Sequence, residues 1–258
     1  MKAGNKIFSR GTHVMAIINL TPDSFWGLSR QTENTLLHAA ERAVAEGAEI
    51  LDIGAQSTRP GYTEVGADEE LKRLSGAIKS IKKRFDIPVS VDTYFARVAD
   101  AALSEGADMI NDIWGLTHDS DMARTIASYN AAVCIMHNAK ECLSGDIWGQ
   151  IINFLKNSAS LALAAGIIED KICVDGGIGF AKSREQNFEL LNGYERLHDI
   201  GFPLLLGASR KSMFGGRVED RLQPTLEATK LAVRKGVLLV RVHDVKSNVE
   251  AIREAEGQ

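Results

Sequence analysis

The sequence predicts one α/β domain, a single (β/α)8 TIM barrel over residues 1–258, and three observations carry that reading. Eight short, mostly apolar runs recur along the chain, and each is followed by a segment of helical spacing. Four helical segments end alike, at Glu46-Gly47-Ala48, Glu105-Gly106-Ala107, Ala165-Gly166-Ile167 and Lys235-Gly236-Val237, with a glycine placed as a left-handed cap. No linker rich in proline, glycine or serine divides the 258 residues, and barrels of this kind fill about 250 residues as one unit. An open doubly wound sheet shares the alternation. It usually carries a glycine-rich phosphate loop after its first strand, and this chain has none there.

In chain order the strand runs are 13–19, 49–53, 87–91, 108–110, 131–135, 171–174, 203–206 and 237–242. Their near-continuous apolar character suits strands covered on both faces of a parallel sheet. Between the first two runs, Leu36, Leu37, Ala40, Val44 and Ala48 form an apolar helical stripe. Leu71, Leu74, Ile78 and Ile81 form a second stripe, expected on the helix that follows the second strand. Helices are also expected over 185–198 and 222–235. Residues 1–11 are polar and lie ahead of the first strand.

Composition narrows the function. Hydrophobic residues make up 45% and charged residues 25%, the balance of a globular protein with a real core. A net charge of -4 argues against a nucleic-acid partner, which needs a basic face. The apolar run 14–20 is too short for a signal peptide or a membrane span. Cys134, Cys142 and Cys173 have no metal-ligand spacing, and the odd count suits a reducing compartment, so the expected location is cytoplasmic.

Barrel active sites form where the strands end, so the strand-end residues carry the functional reading. The first three strands deliver Asn19-Leu20-Thr21-Pro22-Asp23-Ser24-Phe25, then Asp52 with Ser57-Thr58-Arg59-Pro60-Gly61, then Ser90-Val91-Asp92-Thr93. The next three deliver Asn111-Asp112, Met136-His137-Asn138 and Asp175-Gly176-Gly177-Ile178-Gly179-Phe180. The last two deliver Gly207-Ala208-Ser209-Arg210-Lys211-Ser212 and Arg241-Val242-His243-Asp244. A lone strand-end Asp or Asn is commonly a helix cap. Asp92, Asn111 and Asp175 together suit a flat heterocycle with adjacent N–H donors, because one carboxylate accepts two parallel bonds from an aminopyrimidinone edge. Asp52, just inside the rim, reads as a brace for loops. Arg241 and His243 share a parity at the last strand, where barrels tend to hold phosphate, and together read as an anion site.

These motifs, in this order from about residue 13 to about 245, resemble the dihydropteroate synthase family. The family is a (β/α)8 barrel that joins a pterin-methyl pyrophosphate to 4-aminobenzoate and releases pyrophosphate. The resemblance implies that Asp92, Asn111 and Asp175 grip the pterin edge, with Met136 and Gly207 lining the ring and Lys211 bonded to it. It implies that Asn19, Arg241 and His243 hold the pyrophosphate, with Mg2+ at Asn19. It places 4-aminobenzoate against Thr58, Arg59, Pro60, Phe180, Lys211 and Ser212, where the family's sulfonamide inhibitors compete. Lys211, Arg59, Asp92 and Asp175 would carry the catalysis, and the family habit is a dimer. The chemistry agrees with these residue types, because cations neutralise a departing pyrophosphate and a weakly basic arylamine needs placement more than a strong base.

Two departures stand out. The family usually continues its first loop as Ser-Asp-Gly-Gly, whereas Trp26-Gly27-Leu28-Ser29 follows Phe25 here, so an acid beside the metal is missing at Gly27. The family's Asp-Pro-Gly after the sixth strand is Asp175-Gly176-Gly177. A corrinoid methyltransferase barrel would share the Asp/Asn grip but lack the Ser-Thr-Arg-Pro and Ser-Arg-Lys elements. A non-catalytic pterin-binding paralogue would have no need of Arg59, Lys211, Arg241 and His243. The two loops at 20–29 and 55–66 lack any helical or strand period and are expected to be mobile when empty.

Overall fold

Alternation along each strand decides which side chains fill the barrel and which meet the helices. The computed structural model describes residues 1–20, 30–56 and 65–257, apart from the side chains of residues 30–32. The chain opens with β1 (Lys2–Ala3) and β2 (Lys6–Ile7), then runs β3 (His13–Asn19), α1 (Arg30–Ala45) and β4 (Ile50–Gly54). It continues as α2 (Ala67–Leu74), α3 (Ala77–Arg84), β5 (Val89–Asp92), α4 (Ala96–Ser104), β6 (Met109–Asp112), α5 (Met122–Ser128) and β7 (Ala132–Met136). The last part is α6 (Ile147–Ala164), β8 (Ile172–Asp175), α7 (Arg184–Asn192), β9 (Leu204–Leu206), α8 (Leu222–Arg234), β10 (Leu239–Val242) and α9 (Val245–Glu256). The eight strands β3 to β10 form a closed barrel, each parallel to the next, with β10 returning to β3. All eight predicted runs are strands, with ends moved by one or two residues.

Two apolar clusters follow from the alternation. Val14, Ala16, Ile18, Leu51, Ile53, Val89, Val91, Val133 and Ile135 pack outward against the helices. Met15, Ile50, Met109, Ala132, Cys134, Cys173, Leu205 and Leu239 fill the inside. Burying one such side chain contributes about 1.5–3 kcal/mol. Cys134 and Cys173 are both buried free thiols.

The inner cluster also contains Ala3 and Phe8, each 0% exposed. Residues read as a polar lead are therefore a plug for the amino-terminal end of the barrel. The Phe8 amide donates to the Met1 carbonyl at 2.8 Å, the Phe8 ring meets His13 edge-on at 5.1 Å, and Lys6 pairs with Glu49 at 2.8 Å. The turn at Gly4 lies so close to Asp108, just before β6, that a Cβ there would stand 2.4 Å from Oδ1.

The predicted glycine caps at 47, 106, 166 and 236 all adopt positive φ. Two expected helices are interrupted. The stripe from Leu71 to Ile81 is split into α2 and α3 at Gly76, whose φ is 72° and whose amide donates to Glu105 Oε1 at 3.0 Å. The span 185–198 is α7 followed by a 3-10 helix over Tyr194–Ile200, broken at Gly193. A Cβ at Gly193 would lie 2.7 Å from the Trp148 ring, so the chain must pass there without a side chain.

Candidate active site

The parity that fills the barrel with apolar groups lower down turns polar at its carboxyl end. Asn19, Gly54, Asp92 and Asn111 are successive register partners across β3 to β6, and Met136 and Asp175 are partners across β7 and β8. Asp92, Asn111, Met136 and Asp175 are all buried at the mouth. Asp112 has the opposite parity and a different job. Its two oxygens accept from the Trp114 and Leu116 amides, each at 2.8 Å, so Asp112 braces the turn that follows β6 while its neighbour Asn111 faces the mouth. Burial pushes the Asp112 carboxyl up to about 7.

Arg241 rises from β10 into this ring and is shared by two carboxylates. Its Nε donates to Asp52 Oδ2 at 2.5 Å and its Nη2 to Asp92 Oδ2 at 2.6 Å. Asp52 is 0% exposed, so it braces the arginine rather than the loops. Oδ1 of both aspartates has no hydrogen-bond partner among the described residues. Burial pushes the Asp92 carboxyl up to about 6, and Asp52 adds to the rise while Arg241 opposes it. Burial works against the Arg241 charge, yet the attraction of Asp52 and Asp92 prevails and holds it firmly protonated.

Asp175, on β8, is differently tied. Oδ1 accepts from the Gly177 amide at 2.7 Å and from the Tyr194 hydroxyl at 2.9 Å. Oδ2 is left toward the mouth, where a Cβ on residue 207 would come within 3.3 Å. Gly207 therefore belongs to the site by lacking a side chain. Burial raises the Asp175 carboxyl above its usual range.

An apolar platform adjoins these groups. Tyr94, Ile113 and Met136 form a buried cluster, with Trp114 and Phe180 packed against it. The Lys211 ammonium stands 4.2 Å from the Phe180 ring centroid. A Cβ at Gly179 would lie 2.9 Å from Lys211 Cδ, so the glycine lets the lysine cross the β8 loop. Lys182 ties that loop from beneath, donating to the Gly177 and Phe180 carbonyls at 3.0 and 2.9 Å and contacting His137 Nδ1 at 3.0 Å. Burial lowers the Lys182 ammonium to about 7 and the His137 imidazole to about 3. A neutral His137 accepts from Lys182.

At the last two strands, Ser209 Oγ lies 2.9 Å from His243 Nδ1 and accepts from the His243 amide at 3.2 Å, fixing the imidazole at an exposed rim. Arg210 makes a two-pronged bond to Asp244 at 2.7 and 2.8 Å. Its neighbour Lys211 turns instead over the Phe180 ring. Ser212 opens the 3-10 helix Ser212–Phe214 and is exposed.

The expected site residues Asn19, Asp92, Asn111, Met136, Asp175, Phe180, Gly207, Lys211, Ser212, Arg241 and His243 thus come from the carboxyl ends of one barrel. Thr58, Arg59, Pro60 and Gly27 lie outside the described residues, as does most of both long loops. Sequence reasoning missed Tyr194 and Lys182. Tyr194 opens a largely polar 3-10 helix and Lys182 lies in the loop before α7, and only the closed barrel reveals what they touch.

Residues 15–243 match the pterin binding enzyme family. A dihydropteroate synthase from Clostridium beijerinckii is 44% identical, over 98% of this chain and 97% of that one. A dihydropteroate synthase structure from Clostridium difficile, solved in the presence of pteroic acid, superposes with a TM-score of 0.93 at 43% identity, covering 97% of each chain. The Xanthomonas albilineans dihydropteroate synthase with 4-aminobenzoic acid gives 0.89 at 36% identity, covering 96% of this chain and 93% of that one. With the grip, the arginine and the platform in one barrel mouth, this chain belongs to the pterin binding enzymes, as a member of the dihydropteroate synthase family.

Proposed function

We propose that the barrel mouth condenses 6-hydroxymethyl-7,8-dihydropterin pyrophosphate with 4-aminobenzoate, giving 7,8-dihydropteroate and pyrophosphate. The observation that carries this reading is the convergence of buried Asp92, Asn111 and Asp175 beside a half-buried, charged Arg241. Asp175 Oδ2 and the Asn111 amide oxygen accept from the aminopyrimidinone edge, and Asp92 Oδ1 adds a third acceptor. Met136 and Phe180 cover the ring, and Lys211 bonds its edge.

Arg241 and His243 receive the pyrophosphate. The methylene C–O bond breaks with its electron pair leaving on the diphosphate, and the positive guanidinium favours that departure. The amine lone pair of 4-aminobenzoate then forms the C–N bond, and the nitrogen loses a proton. Asp52 serves by holding Arg241 at a fixed angle throughout. Arg59, Thr58, Pro60 and Ser212 are assigned to 4-aminobenzoate.

Mg2+ fits one donor in particular. The Asn19 amide oxygen would lie 3.4 Å from a Cβ at residue 54, and Gly54 leaves that space open beside it. A neutral hard oxygen suits an ion that keeps its waters and binds mainly through substrate phosphates. When bound, the ion supplies further neutralisation of the pyrophosphate charge. The working enzyme is assigned to the cytoplasm and to a homodimer built on α7 and α8; among the described residues no helix is long and apolar enough to cross a membrane.

A coupled assay for pyrophosphate release tests the activity. Release that requires both substrates and Mg2+ is expected, and no release with both present, or release indifferent to 4-aminobenzoate, overturns it.

A further inference from the structure

The two oxygens of Asp175 have different surroundings. Oδ1 is turned back into the protein, held by the Gly177 amide at 2.7 Å and the Tyr194 hydroxyl at 2.9 Å. Oδ2 alone is free to meet a ring in the mouth. A carboxylate torsion is broad, so without a tie the plane of the group turns freely, and a tie on one oxygen fixes the angle at which the other is presented.

Tyr194 is 1% exposed, and its hydroxyl has three partners. It accepts from the Gly176 amide at 3.0 Å, and its hydrogen is shared between Asp175 Oδ1 and the Leu205 carbonyl, which lies at 2.6 Å. A proline at 176 would bring no N–H to this spot. The glycine does bring one, and a buried donor needs an acceptor. The phenol meets that need and is fixed by it.

We infer that Tyr194 is a positioning residue for pterin recognition, its hydroxyl anchored by Gly176 and Leu205 so that Asp175 keeps Oδ1 back and presents Oδ2 to the ring. The inference deepens the proposed function and rests on Asp175 being a pterin ligand. The same hydroxyl favours the ionised carboxyl and so opposes the rise caused by burial.

Tyr194→Phe is the test. The KM for the pterin pyrophosphate is expected to rise about tenfold, the size of one buried hydrogen bond to a charged group, with the KM for 4-aminobenzoate unchanged. The acid limb of kcat/KM moves to higher pH, as does the Asp175 titration followed by carbon NMR in the free protein. The variant also strands the Gly176 amide and lowers the melting temperature. Kinetics and titration are therefore read well below the variant's melting temperature, where circular dichroism matches the parent fold. If Tyr194→Phe leaves KM and the carboxyl titration unchanged, Tyr194 is only structural and the inference is overturned. A shifted titration with unchanged KM instead removes Asp175 from the pterin site, and the reading beneath the inference falls.

Discussion

In the proposed reaction Arg241 serves both the ring and the anion, so truncating it does two things at once. Arg241→Ala removes the anion's partner and leaves Asp52 and Asp92 buried without their cation. Breaking such a buried pair costs about 3–5 kcal/mol, so this variant is expected to lose stability, free-pterin affinity and pyrophosphate affinity together. His243 stands at the exposed rim on Ser209 and carries no buried charge. His243→Ala is therefore the selective variant. Calorimetric titration should show weaker binding of the pyrophosphate-bearing ligand and unchanged binding of free pterin; equal losses for both ligands would refute the assignment. Asp175→Asn is expected to abolish turnover, because an amide must turn a donor toward the ring's own donor, and an unpaired buried group costs about 1–3 kcal/mol. Unchanged pterin affinity in that variant would take Asp175 out of the grip. The strand-end residues were legible because strand parity is local. The Arg241 pairing was not, since its partners lie 189 and 149 residues away and meet it only across a closed barrel.

Among the elements, the eight strands declared themselves because each is an apolar run with a helical segment beside it, four of them preceded by a glycine cap. The β1–β2 hairpin did not, since two-residue strands carry no period that a sequence pattern can show. Its contribution is nonetheless large, because Phe8 is fully buried against the interior. Phe8→Ala is expected to destabilise the protein by about 3–5 kcal/mol, read from denaturant unfolding, with KM values nearly unchanged. A loss below about 0.5 kcal/mol, the range of surface changes, would mean that the plug is ornamental. The break at Gly76 was equally invisible, because the apolar stripe runs on through it from α2 into α3.

At the scale of the whole molecule, several carboxyls buried around the mouth and behind it set a pH dependence. Glu70 on α2 is 1% exposed, neither oxygen has a hydrogen-bond partner among the described residues, and burial, reinforced by Asp92, pushes its carboxyl up to about 8 from 4.5. The folded state therefore favours protonated Glu70. Its contribution is full below about pH 4.5 and is lost as the pH rises through about 8. Glu70→Gln should consequently raise the melting temperature at pH 8.5, by about 2 kcal/mol of stability, with the gap closing at pH 5. An equal gap at both pH values would show that the charge is not what matters. The plug formed by Ala3 and Phe8 has a consequence for traffic. Together with Met15, Ile50, Met109 and Leu205 above it, the plug makes the barrel a blind vessel, so whatever enters over the rim must leave over the rim. A molecule resting on Asp175 is then trapped by anything seated above it, and exchange through the one doorway runs last in, first out.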